Sequence, residues 1–130
     1  MDEAANSSVL LVGRFLMAGL FVWSGVGKIH GYDEAAVFMM QSGVLSALLP
    51  MAIVIEIGGA LLLIVGAKTR LVSLGLAGFC IVTALLFHAN FPERAQMFHF
   101  LKNFAIAGGL LALYVAGPGR LSFDGAFDNE

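Results

Sequence analysis

The sequence predicts an all-α integral membrane protein, a four-helix transmembrane bundle with a short interfacial helix between spans 1 and 2. Three observations carry that prediction. Hydrophobic residues make up 59% of the chain and charged ones 12%, with a mean hydropathy of +0.90, whereas ordinary soluble domains carry roughly 25% charged residues. The apolar residues gather into four runs that meet or approach the length needed to cross roughly 30 Å of hydrocarbon as helices. The runs are continuously apolar rather than alternating, and they are too long for barrel strands. A chain of 130 residues, read as residues 1–130, makes a single domain.

Taken in order, the chain starts on an acidic flank, Met1 to Ser8, where a secretory signal needs a basic one. No small-x-small cleavage site follows, so the first span, residues 9–29, is expected to be retained. In the first connection, His30 to Leu45, Asp33 and Glu34 suit a first helical turn, since negative charge complements its free N–H groups. Val37, Phe38 and Met40 on one side make this a short interfacial helix that Gly43 would end. The second span, residues 46–67, holds Pro50 in its first turns, where a missing donor costs little. Lys68-Thr69-Arg70 is long enough only for a tight hairpin, which makes the third span, residues 71–91, its neighbour. Asn90, Pro92, Glu93, Arg94 and Gln96 lead to the fourth span, residues 100–117. Gly117-Pro118-Gly119 stops that helix and leaves a polar tail with Asp124 and Asp128.

Lys68, Arg70 and Arg120, with Arg14 nearby, fall on the side of both termini, against Lys28, Arg94 and Lys102 on the other. The small excess favours both termini in the cytoplasm. A net charge of -2 with no run of like charges gives nucleic-acid binding no electrostatic support. Cys80 is the only cysteine, which excludes an intrachain disulfide and a Cys-x-x-Cys pair, so any redox role needs a bound or partner cofactor. No spacing of His and carboxylates makes a metal site.

Glu56 sits in the middle of the second run and needs a partner, because a charge at the bilayer centre costs roughly 2.5 kcal/mol or more. Ala52, Gly59 and Ala60 share its face, so it is expected to point inward among close-packed helices. Arg14, about 6 Å away in depth by helical rise, is the expected partner in an intramembrane ion pair. Such a pair fixes helix register as readily as it serves chemistry. Lys28, His88 and Lys102 gather toward the opposite membrane face. Snorkelling to the interface is the ordinary explanation of the two lysines. Together with apolar walls, the three residues would also offer donors to a ligand headgroup, and a quinone or a lipid headgroup fits. No residue is singled out as catalytic.

These residues also carry a family resemblance. Arg14 to Phe21, Ser24-Gly25-Val26-Gly27-Lys28-Ile29, Glu56-Ile57-Gly58-Gly59, Gly66-x-x-Thr69-Arg70, Phe87-His88, Lys102-Asn103, Gly108-Gly109 and the closing Gly117-Pro118-Gly119 follow in an order and spacing that resembles the DoxX family. The resemblance runs from about residue 9 to residue 124. It implies a small four-helix protein of the bacterial inner (plasma) membrane. It also implies an association with quinone-linked sulfur oxidation and with membrane complexes that handle oxidative or thiol stress.

The leading expectation is a quinone-associated accessory component of an oxidoreductase or quinone-stress system. The chain carries no redox cofactor motif of its own, its ligand would be a quinone, and its partners would be the lipid bilayer and membrane oxidoreductase subunits. Two other readings stand beside it. One is a proton-coupled small-molecule transporter subunit working through Glu56, for which four short spans would need a homo-oligomer. The other is a structural or assembly protein without a ligand.

Overall fold

A computed structural model describes residues 2–89 and 93–127. Among these residues the elements are α1 Glu3–His30, α2 Tyr32–Gln41, a 3-10 turn Ser46–Leu48, α3 Leu49–Val65, α4 Thr69–Phe87, α5 Arg94–Ala116 and α6 Phe123–Phe127. The helices α1, α4 and α5, and α3 together with its leading turn, are each long and apolar enough to cross a membrane. Positions 90 and 91 of the predicted third span, Pro92, and Asp128 of the tail lie outside the described residues.

Two helices start six residues before their apolar runs, and α4 starts two before, at Thr69. The helix α1 begins at Glu3 rather than at residue 9, because Asp2 Oδ1 accepts the N–H of Ala5 at 2.8 Å and Glu3 adds negative charge to the first turn. The helix α5 begins at Arg94 rather than at residue 100; its first turns mix Arg94, Gln96 and His99 with Met97 and Phe98, too polar a stretch to read as part of the span. Hydropathy reads the part of a helix that lies in hydrocarbon, not the part that projects beyond it.

Around the bundle the order is α1, α3, α4, α5. The closest packing is within two pairs, α1 on α3 and α4 on α5; α3 against α4 joins them, and α1 meets α5 only slightly. Small residues set the approach. A side chain on Gly25 would come within 2.5 Å of Ile57 Cγ1, so α1 rides directly on α3 at this level. Ala18, Ala60, Ala77, Ala84 and Ala107 are buried where the helices cross, and Phe21, Leu63, Leu76 and Leu110 fill the space between. Leu16, Val54, Leu71 and Val115 are exposed, as lipid-facing side chains are in a bundle of this size. The hairpin between α3 and α4 is as tight as expected. Gly66 takes a left-handed φ of 73°, and Leu62 O accepts from both Gly66 N and Ala67 N.

The tail is not a loose polar end. It folds back across the hairpin: Asp124 N donates to Gly66 O at 2.9 Å, and the Asp124 carboxylate accepts from Lys68 N and Thr69 N, both at 2.8 Å. A side chain distant in sequence thus caps α4, whose own N-cap residue makes no side-chain cap bond. Burial opposes ionisation of Asp124, but the N–H groups of Thr69 and Lys68 outweigh it and hold the carboxyl below its ordinary value of 3.8. A folded value below the unfolded one means that the cap stabilises the fold above pH 3.8, and that this contribution is lost as pH falls through the lower folded value. Protection of the tail amides, read as exchange relative to the intrinsic rate at each pH, is therefore expected to fall in that acid range. Asp124→Ala is expected to abolish the acid transition and to loosen the tail at neutral pH by about 1 kcal/mol.

Candidate functional site

The carboxylate of Glu56 is paired, but not with Arg14. Lys28 Nζ approaches Glu56 Oε1 to 2.7 Å and donates to Ser24 Oγ, one turn back on α1, at 2.9 Å. The Lys28–Glu56 contact is a charge pair rather than an aligned hydrogen bond, since Oε1 has no donor in line with it. Glu56 is 3% exposed, while the lysine side chain keeps 32%. Snorkelling does not describe Lys28, which turns inward along the bundle.

The register of α1 on α3 explains the correction. Gly25 lies beside Glu56 and Ile57, so Lys28 is three residues, about 4.5 Å, along α1 from the carboxylate, whereas Arg14 is eleven residues, about 16 Å, the other way. Arg14 is fully buried at the opposite end. Its guanidinium donates to Leu63 O at 3.1 Å and Ile64 O at 3.3 Å, and it makes a very short contact with Leu121 O. Leu63 and Ile64 lie in the last turn of α3, where carbonyls have no helical partner. Arg14 therefore closes the end of one helix and holds the tail against it.

Above Glu56, toward α2, a cavity of about 460 Å³ opens among α1, α2, α3, α4 and α5. Lys28, His88 and Lys102, proposed from sequence as one group, all line it, and so does Glu56. His99 and Asn103 also line it and were not anticipated. The signal was available: His99, Lys102 and Asn103 stand at helical spacings of three and four, on one face of α5. It was missed because His99 fell before the apolar run. The ring of His99 lies 5.1 Å from that of His88, and His88 Nδ1 is 2.7 Å from Gln96 Oε1. With that amide oxygen accepting, Nδ1 carries a proton, and Nε2 is the ring nitrogen left to face another partner. Phe38 of α2 sits 5.6 Å from the Phe87 ring and 6.5 Å from His88, and Met39 beside it is buried, so α2 covers this end of the cavity.

The lining divides by chemistry. Lys28, Lys102 and Asn103 supply donors near one end, beside the polar edges of the two histidine rings, while Leu20, Phe21, Phe79, Phe87 and Ile106 supply apolar wall. A volume in the range of about 300–1,000 Å³, mostly apolar with a few convergent polar groups, is that of a small-molecule site. The arrangement suits a neutral or anionic polar head carried on a ring or chain. Lys102 is exposed at the rim, where its ammonium meets whatever enters.

Comparison with known proteins places this architecture. The chain is 44% identical over 115 residues to the inner membrane protein YqjF of Escherichia coli strain K12, covering 88% of each chain. It is 30% identical over 128 residues to the inner membrane protein YphA of the same organism, covering 93% of this chain and 91% of YphA. No solved structure matches it. The DoxX family model matches residues 9–89, from the first span through the turn after His88. With four membrane-crossing helices and relatives of this similarity along nearly its whole length, the chain is a multi-pass inner-membrane protein of the DoxX family.

Proposed function

We propose that the protein binds a quinone-type amphiphile in the cavity above Glu56, as an accessory component of a membrane oxidoreductase or quinone-stress system. One observation carries the reading: Lys28, Lys102, Asn103, His88 and His99 converge on one end of a 460 Å³ cavity whose remaining wall is aromatic and aliphatic. Ring carbonyls of a quinone accept hydrogen bonds from ammonium and amide donors, and the ring itself packs on aromatic side chains. The chain supplies binding and orientation, and the redox chemistry belongs to the quinone and to a partner. We assign both termini to the cytoplasm. Arg14 and Lys28 both drop out of the count, one held by carbonyls at the end of α3 and the other by Glu56, which leaves Lys68, Arg70 and Arg120 on that face against Arg94 and Lys102 on the other.

Trp23 is the sole tryptophan and lines the cavity, so its fluorescence reports occupancy. Titration of the full chain in nanodiscs with decyl-benzoquinone is expected to quench Trp23 saturably and to raise the melting temperature. Lys102→Ala is expected to weaken binding by about tenfold, the loss of one hydrogen bond from a charged donor. Linear, unsaturable quenching with no thermal shift would argue against the reading.

A further inference from the structure

Access to the cavity is set by which sides of it are closed. Toward α2, the Phe38 ring over Phe87 and His88, with Met39 buried beside it, covers the end that faces the membrane surface. Toward the opposite end, α1 and α5 do touch: a side chain placed on Gly109 would come within 2.8 Å of Met17 Cε. Between these limits the two helices meet only slightly, although α1 packs closely on α3 and α5 on α4. The seam is flanked by Leu20, Trp23 and Gly27 of α1 and by Lys102, Asn103 and Ile106 of α5, all of which also line the cavity. Trp23 is 81% exposed, on the surface a bundle presents to lipid.

We propose that the seam between α1 and α5 is a lateral entrance from the bilayer, and that the ligand is a membrane-dissolved amphiphile whose tail stays in the seam after its head has entered. This rests on the reading of the cavity as a ligand site and specifies the substrate class: a polar ring or head on a flexible apolar chain, taken from the lipid phase. The geometry orders the parts. The head meets Lys102 and Asn103 at the mouth and Lys28 further in, while the tail runs out past Trp23 and Gly27. Gly27 leaves that passage open: even a Cβ placed there would meet nothing within 4 Å.

That open space makes Gly27→Leu a clean test. The Cβ of the new residue stands in open space at an exposed position, and leucine favours the helix over glycine, so folding is expected to be kept. In nanodiscs, with Trp23 quenching and thermal shift as readouts, decyl-benzoquinone is compared with the same ring lacking the tail. Gly27→Leu is expected to weaken the decyl compound by about tenfold or more and the tail-less ring by less than about threefold, since several buried methylenes lose their seat. Gly27→Ala is expected to fall between. Equal losses for both compounds, or none for the decyl compound, overturn the entrance while leaving the cavity reading in place. Failure of the wild-type protein to bind either compound overturns both.

Discussion

Lys28→Met is expected to destabilise the protein by about 3 kcal/mol, because it leaves the Glu56 carboxylate buried without its counter-charge. The carboxylate is 3% exposed, and the only cation that reaches it among the described residues is Lys28 Nζ at 2.7 Å. Methionine keeps the length and the apolar stem of lysine, so packing against α3 changes little and the loss reads the charge. Adding Glu56→Gln is expected to recover more than half of the stability, since the double variant buries an amide instead of an unpaired ion. Unfolding of the four proteins in a mild detergent, followed by Trp23 fluorescence, closes the cycle. A single variant as stable as wild type, or a double variant no better than the single, would show that the pair contributes nothing.

The same four proteins separate scaffold from site. Lys28 has two roles on offer, as partner of Glu56 and as a donor lining the cavity, and its side chain keeps enough exposure to serve both. A double variant that is stable yet binds decyl-benzoquinone about tenfold more weakly than Glu56→Gln alone assigns Lys28 to the ligand as well as to the fold. One that is stable and binds as Glu56→Gln does confines it to the fold.

What the sequence made legible follows from what periodicity can carry. The inward face of Glu56 was readable from Ala52, Gly59 and Ala60, because small residues around one polar residue mark a close helix contact whatever the partner. The shared placement of Lys28, His88 and Lys102 was readable from depth alone, since span ends lie near the same membrane face. Helix register was not readable. It depends on where α1 starts relative to the bilayer, and Asp2 and Glu3 extend that helix beyond its apolar run. An error of one or two turns exchanges Lys28 for Arg14 as the partner of one carboxylate. The tail was missed for a related reason. The bonds that fix it join Asp124 to residues 66, 68 and 69 and Leu121 to residue 14, and no local pattern records pairings so distant.

Arg14, once released from Glu56, has a sharper expected phenotype. Arg14→Met strips donors from Leu63 O, Ile64 O and Leu121 O together, two of them in the last turn of α3. The buried Leu63 carbonyl left unpaired costs about 1–3 kcal/mol and the part-buried Ile64 and Leu121 carbonyls less, so a loss of about 3 kcal/mol is expected, with the tail released first. Arg14→Lys is expected to restore only part of it. An ammonium is a point donor, and the observed geometry uses both terminal nitrogens of a planar fork, Nη1 on the α3 carbonyls and Nη2 on the tail. Limited proteolysis within residues 117–127 reads the release of the tail directly. Combining Arg14→Met with Glu56→Gln decides between the two assignments of the arginine: an Arg14–Glu56 pair predicts rescue, as for Lys28, whereas a clamp on carbonyls predicts none. Because Arg14 and Glu56 share no partner and lie far apart along the bundle, their effects are expected to add within about 0.5 kcal/mol.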